Sequence, residues 1–340
     1  MTAAIHPRAA LFEEGEAAVT LAVCDHYCGI ESRMLKSLAM QAELGPVFDI
    51  TLDCEDGAPI GGEAEHAQMV AELVCGALNL HGRVGARVHP FDHPSFADDV
   101  ETLMSRAGHR LAYLMLPKAR SIFDVQQAIA HIGAAAQRHG KGRKLPVHVL
   151  IETHGALEAV RAIAAEPRVE SLSFGLMDFV SAHRGAIPRS AMSAQGQFTH
   201  PLVLRAKLEI AAASHAHGKT PSHCVVTEFK DTRAVETAAR RASRELGFTR
   251  MWSIHPAQIQ PIIDAFAPSV AEVDEAVDVL RAGQDAHWAP ISFRHGDQDT
   301  LHDRASFRYF WQLLERAHRT GQPLPAEVRE TFFAPPDEAG

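Results

Sequence analysis

Short apolar runs recur along this chain, and nearly every one ends in a charged or polar side chain before a helical stretch begins. Asp25 follows the run 19–24, Asp53 and Glu55 follow 48–52, and Arg87 and His89 close 85–89. Lys118 follows 113–117, Glu152 follows Val147–Ile151, and Asp178 closes the run that starts at Leu172. Glu228 follows 224–227, and His255 follows 251–254. The pattern predicts eight strands, each tipped with chemistry. A closed barrel of parallel strands gathers its carboxyl strand ends on one face, where such barrels carry their active sites.

Helical periodicity fills the intervals. Ser121 with Asp124 three positions on is a capping-box signature, and Val125, Ile129 and Ile132 repeat at helical spacing. Further helices are read at 62–80, 95–106, 155–165, 202–217 and 232–246. Alternating strands and helices signal a parallel α/β sheet, a description that an open doubly wound sheet also satisfies. No Gly-x-Gly-x-x-Gly follows the first strand, which disfavours the open dinucleotide-binding sheet. The expected fold is therefore α/β, a (β/α)8 TIM barrel over residues 1–268 with a C-terminal helical extension over 269–340.

Two stretches break the rhythm. SAHRGAIPRSAMSAQGQFTH, between Phe179 and the helix near Leu202, exceeds the roughly 2–6 residues usual for α/β connections and is a candidate active-site loop. In the extension, Ser269 caps a helix that runs through Leu280, RHGDQDTLHD reads as a loop, 305–319 as a last helix, and PPDEAG as a disordered end. That last helix carries Phe307, Tyr309, Phe310 and Trp311, apolar area that must be covered by its own barrel or by a neighbouring subunit.

Length and charge narrow the class. The 340 residues exceed the roughly 250 typical of such a barrel, leaving room for the extension. A net charge of -9 gives no broad basic surface, so neither nucleic acid nor an anionic membrane is expected as the main partner. With no apolar run of about 20 residues and no signal-peptide core, a soluble cytoplasmic protein is expected. The five cysteines lack paired close spacing and read as reduced thiols rather than a zinc site.

Glu152 in IETHGAL and Asp178 in SFGLMDF form the central pair. Ends of adjacent parallel strands lie about 5 Å apart. Two carboxylates at that distance repel unless a cation joins them, and magnesium needs few protein ligands. Spacing alone equally allows helix caps or salt bridges. Arg87 in GARVHP offers a planar fork to a carboxylate or enolate oxygen, or to the nearby Glu55 or Asp56. Lys118 suits a neighbouring carboxylate, and His255 either polarises a substrate group or locks its turn.

LDCEDGA, ARVHP, LMLPKA, LIETHGAL, FGLMDF and GFTRMWSIHPAQI occur in the order and approximate spacing of the citrate lyase beta-subunit family, also called the HpcH/HpaI aldolase family. The chain resembles that family from about Val19 to Arg319. The resemblance implies a (β/α)8 barrel with magnesium, or manganese as the alternative, on Glu152 and Asp178. It implies Arg87 on the acyl or keto-acid oxygen, Glu55 and Asp56 holding Arg87 and metal-bound water, and His89, Lys118 and His255 in the substrate surroundings. The activity implied is a carbon-carbon lyase that cleaves a citryl- or malyl-CoA-like 3-hydroxyacyl-CoA into an acyl-CoA and a 2-oxo acid, with positive charge stabilising the enolate. A mobile acid-base Asp from a neighbouring subunit is also implied; Asp303 is the match and Asp299 the alternative, in a homo-oligomer, trimer or hexamer.

The chain departs from the family at the mouth. AVCDHYCGIESR stands where many members have a Val-Pro-Gly turn, Arg-Val-His replaces Arg-Val-Asn, and Asp303-Arg304-Ala305 lacks the proline of an Asp-x-Pro motif. A pyruvate-type aldolase on a free hydroxy-oxo acid, or a silent barrel serving as a binding protein, are the alternative functions.

Overall fold

The computed structural model describes residues 5–13, 20–140, 142, 144–295 and 298–333. Eight strands close a parallel barrel in sequence order: β1 (Cys24–Cys28), β2 (Asp49–Asp53), β3 (Val84–Arg87), β4 (Leu114–Leu116), β5 (Val147–Ile151), β6 (Val169–Phe174), β7 (Thr220–His223) and β8 (Arg250–Ser253). The helices are α1 (Pro7–Leu11), α2 (Glu31–Leu44), α3 (Glu63–Cys75), α4 (Phe96–Ala107), α5 (Ile122–Arg138), α6 (His154–Glu158), α7 (Val160–Ala165), α8 (Leu176–Ser181), α9 (Pro201–Ala216), α10 (Thr232–Leu246), α11 (Ile259–Phe266), α12 (Val270–Asp285), α13 (Arg304–Arg319) and α14 (Ala326–Phe332). The expected (β/α)8 barrel is present, and β5 and α10 fall where the pattern placed them.

Three strands differ from expectation, each for a physical reason. β1 begins where the first apolar run ends, so Asp25 is inside the strand and wholly buried; Arg250 on β8 lies 3.0 Å away and offsets its charge. β7 is the polar segment TPSH, four residues before the apolar run expected there, and Ser222 and His223 are buried in it. β6 stops at Phe174, which leaves Asp178 in the first turn of α8.

Alternate strand residues point into the barrel and form layers, as closed parallel barrels require. At the floor, Arg250 pairs with Asp25 and Asp49, Arg83 lies 2.6 Å from Asp49, and Asp25 accepts hydrogen bonds from Thr51 (2.8 Å) and Tyr113 (3.0 Å). Tyr113 stacks on His148 at 3.8 Å, in space that Gly85 leaves open: a Cβ there would meet the Tyr113 ring at 2.3 Å. Above lies an apolar layer of Tyr27, Met115, Leu150 and Trp252, with Tyr27 stacked on Trp252 at 4.4 Å. The larger core lies between strands and surrounding helices.

The chain divides into two compact units, residues 18–266, and residues 1–17 with 267–340. Residues 7–11, counted with the barrel from sequence, lie in the second unit, where Arg8 pairs with Glu315 at 2.6 Å. The expected loop RHGDQDTLHD belongs to an antiparallel hairpin, β9 (Ile291–His295) and β10 (Gln298–His302), in register Asp299 to Arg294. Its Gly296 and Asp297 lie outside the described residues, as does the PPDEAG end. Phe307, Phe310 and Trp311 are buried against α12, α14 and Leu11 within this unit, while Tyr309 is exposed. The aromatic area therefore needs no neighbouring subunit to cover it. The five cysteines are free thiols, four of them buried. Among the described residues no helix is long and apolar enough to cross a membrane.

Removing one partner of a buried ion pair leaves a charge without compensation and costs about 3–5 kcal/mol. Arg250→Met is expected to destabilise the barrel by an amount in that range in denaturant unfolding, and Asp25→Asn added to it to restore part of the loss. A loss below about 1 kcal/mol for the single variant would show that the floor network contributes little.

Candidate active site

Asp53 and Arg87 end adjacent strands as register partners. That adjacency lets Asp53 hold the guanidinium at two points, Nε to Oδ1 at 2.7 Å and Nη2 to Oδ2 at 2.5 Å. A two-point fork fixes the guanidinium plane as well as its position. Asp53 in turn accepts the N–H groups of Glu55 (2.9 Å) and Gly57 (2.8 Å). Glu55 lies 3.0 Å from Nη1 of Arg87, and the Tyr27 ring is 5.1 Å from the guanidinium carbon. Burial opposes the Arg87 charge, but Asp53, with help from Tyr27 and Glu55, raises its pKa well above the ordinary value.

Asp56, expected beside Arg87, is bound instead by the Lys118 ammonium at 2.7 Å. The same ammonium also bonds Glu55. Burial alone would lower the Lys118 pKa, and the bonds to Asp56 and Glu55 reverse that and raise it. Its main-chain N–H donates to Oε1 of Glu152 at 2.7 Å.

Glu152 follows β5 and is 3 % exposed. A Cβ on residue 175 would stand 2.2 Å from its Oε2, so glycine at that position makes room for the carboxylate. Burial, and then the negative charge of Asp178, push the Glu152 pKa up to about 7, while Arg87 and the Lys118 N–H pull it down. Asp178 lies within electrostatic reach of Glu152, but the pair comes from a strand end and a helix start rather than from two strand ends. Among the described residues no set of three or more His, Cys, Asp and Glu side chains could hold a metal. Two carboxylate ligands, with the rest of the shell from water and substrate oxygens, fit magnesium, a hard cation that retains waters.

The other predicted residues have the following contacts. His89 is buried, donates from Nδ1 to Asp99 Oδ2 at 2.6 Å, and stacks on His93. His255 is exposed, takes the N–H of Ala257 on Nδ1, and stacks on Phe229 at 4.9 Å. The 181–200 loop holds two short 3-10 turns, Arg189–Met192 and Gly196–Phe198, and its Ala194 N–H donates to Glu228 at 3.0 Å. In the second unit Asp303 is the N-cap of α13, accepting from Ala305 (2.9 Å) and Ser306 (3.3 Å), and Asp299 lies 3.2 Å from Arg294. Asp53 was named at a strand tip but not placed in the site. Aligning β2 with β3 in register, which sets Asp53 against Arg87, is the signal that finds it.

The HpcH/HpaI aldolase/citrate lyase family model matches residues 37–256. The chain belongs to the HpcH/HpaI aldolase/citrate lyase family. It is an enzyme of the carbon-carbon lyase class. A crystal structure of a citrate lyase from Burkholderia xenovorans LB400 is 52% identical, with a TM-score of 0.83, covering 97% of this chain and 100% of that chain. An L-malyl-CoA/beta-methylmalyl-CoA lyase from Cereibacter sphaeroides is 30% identical over 243 residues, 68% of this chain and 76% of the relative. The protein CitE from Mycobacterium tuberculosis, in complex with magnesium, acetoacetate and coenzyme A, shares the fold at 22% identity and a TM-score of 0.66, covering 88% of this chain and 99% of that chain.

The raised Glu152 pKa links stability to pH. The unfolded chain loses this proton near the ordinary 4.5 and the folded chain near 7, so the fold is favoured at low pH and loses that stabilisation as pH rises through about 7. Without added divalent cation, unfolding free energy relative to Glu152→Gln is expected to fall by up to roughly 3 kcal/mol from below pH 5 to pH 8. A pH-independent difference between the two proteins would mean that Glu152 ionises as freely when folded as when unfolded.

Proposed function

We propose that the protein is a magnesium-dependent lyase that reversibly cleaves a malyl- or citramalyl-CoA-like 3-hydroxyacyl-CoA into an acyl-CoA and a 2-oxo acid. The observation that carries the reading is the placement of Glu152, a buried carboxylate within electrostatic reach of both Asp178 and Arg87. The names of the lyase relatives support the substrate class. Glu152 and Asp178 would hold the magnesium, which when bound supplies a Lewis acid to the oxygens of the 2-oxo acid portion. Arg87 has five N–H groups, two of them on Asp53 and its Nη1 beside Glu55 at 3.0 Å, so those left over offer fixed positive charge where oxygen becomes negative as the carbon-carbon bond breaks. Because Asp53 holds the fork in advance, little reorganisation is needed at the moment of reaction.

In the cleavage direction the β-hydroxyl gives up its proton to water, its oxygen becomes the carbonyl of the 2-oxo acid as the C–C bond electrons pass into the thioester enolate, and a carboxylic acid then protonates the enolate carbon. Asp303 is our choice for that acid, contributed by a neighbouring subunit of a homo-oligomeric ring in the cytoplasm. To serve, it must exchange its capping bonds to Ala305 and Ser306 for substrate.

The direct test is product analysis after incubating purified protein with magnesium and a panel of malyl-, citramalyl- and citryl-CoA. We expect at least one to yield a 2-oxo acid, chelation to stop the reaction, and Asp178→Asn to weaken magnesium binding at least tenfold by calorimetry. No 2-oxo acid from any of the three, or undiminished magnesium affinity in the variant, would overturn the reading. Asp303→Ala and Arg87→Ala subunits, each inactive alone, are expected to regain part of the activity when co-assembled. Demonstrably mixed oligomers without recovery would return Asp303 to its capping role.

A further inference from the structure

Lys118 has a backbone that lysine disfavours. Its φ is +50°, in the left-handed region that glycine enters freely and other L-residues enter at a cost of about 1–2 kcal/mol. The conformation has a use, since it presents the Lys118 N–H to Oε1 of Glu152 at 2.7 Å. Glycine would meet that backbone requirement without strain. The presence of lysine therefore points to a second task for the side chain, and the ammonium bonds show what it is: it reaches Glu55 and, at 2.7 Å, Asp56. Glu55 is also 3.0 Å from Arg87.

We propose that Lys118 is a positioning residue with two ends, its main-chain N–H setting the Glu152 carboxylate and its ammonium setting Glu55 and, through it, Arg87. One residue thereby couples the carboxylate side of the mouth to the guanidinium side. The strained backbone and the ammonium contacts support each other: the side chain, anchored on two carboxylates, resists relaxation of φ that would swing the N–H away from Glu152. The inference rests on the reading of Glu152 and Asp178 as a magnesium site.

Two variants separate the ends. Lys118→Gly removes the ammonium while leaving a residue that enters the left-handed region without strain. Lys118→Ala loses the ammonium and leaves a strained backbone with nothing to anchor it. Magnesium affinity by calorimetry in the absence of substrate, and kcat and KM for cleavage, are the readouts, with circular dichroism to verify folding. Lys118→Gly is expected to bind magnesium within about threefold of wild type while kcat/KM falls at least tenfold, because Arg87 is less firmly held. Lys118→Ala is expected to show the same catalytic loss and, in addition, magnesium affinity at least fivefold below the glycine variant. A residue that merely stabilises the fold would lower the melting temperature in both and leave the two magnesium affinities equal. Equal affinities, or wild-type kcat/KM in Lys118→Gly, would overturn the proposal while leaving the proposed function in place. Failure of the wild-type protein to bind magnesium would overturn both. Glycine accepts this φ, so Lys118→Gly remains informative even if the alanine variant misfolds.

Discussion

A carboxylate taken almost wholly out of water is unfavourable as an anion unless its surroundings supply positive charge, and the mouth of this barrel is arranged around one. Glu152 receives a main-chain N–H from Lys118, feels the guanidinium of Arg87, and is repelled by the like charge of Asp178. The balance leaves it poised near neutrality, in contrast to an exposed glutamate. Such poise suits a group whose charge is completed by what binds, because the protein alone has not finished neutralising it. Arg87 meets the converse condition: Asp53 and Glu55 more than compensate its burial, so it stays cationic at any physiological pH.

The residues that make this balance differ in how readily their sequence shows them. Glu152, Arg87 and Lys118 follow or end strands with legible apolar patterns, and their positions could be read from the alternation of strand and helix. Asp178 sits in a helix rather than at a strand end, because LMDF continues the apolar pattern of β6 after the ladder has ended and a helix has begun. β7 was hidden for the opposite reason. Its sequence Thr-Pro-Ser-His has one β-branched residue, no aliphatic one and a proline, so its strand signal is weak, and barrel closure between β6 and β8 decides its place. Asp25 shows the same limit: a charge in a strand interior is stabilised by Arg250, a residue more than two hundred positions away. Non-local pairs of this kind leave no mark on local periodicity.

The antiparallel hairpin of the second unit was likewise read as a loop. β9 alternates partly buried Ile291 and Phe293 with exposed Ser292 and Arg294, but Asp299, Thr300 and Leu301 of β10 are all exposed, and charged, Gly-containing stretches of that length carry a weak strand signal. The helix before it is legible from Ser269, whose capping preference is local, whereas the cap of the helix after it, Asp303, is read from sequence only as a candidate acid.

The apolar layer formed by Tyr27, Met115, Leu150 and Trp252 lies between two charged ones: Asp25, Asp49 and Arg250 below, Asp53, Arg87 and Glu152 above. Low-polarity side chains separate the ionic cluster that holds the barrel closed from the one that faces substrate. Each cluster is locally paired, so a change of charge at the mouth need not be answered by a compensating change at the floor. Such separation makes the mouth evolvable: residues there can be exchanged to suit a different substrate while the floor goes on securing the scaffold.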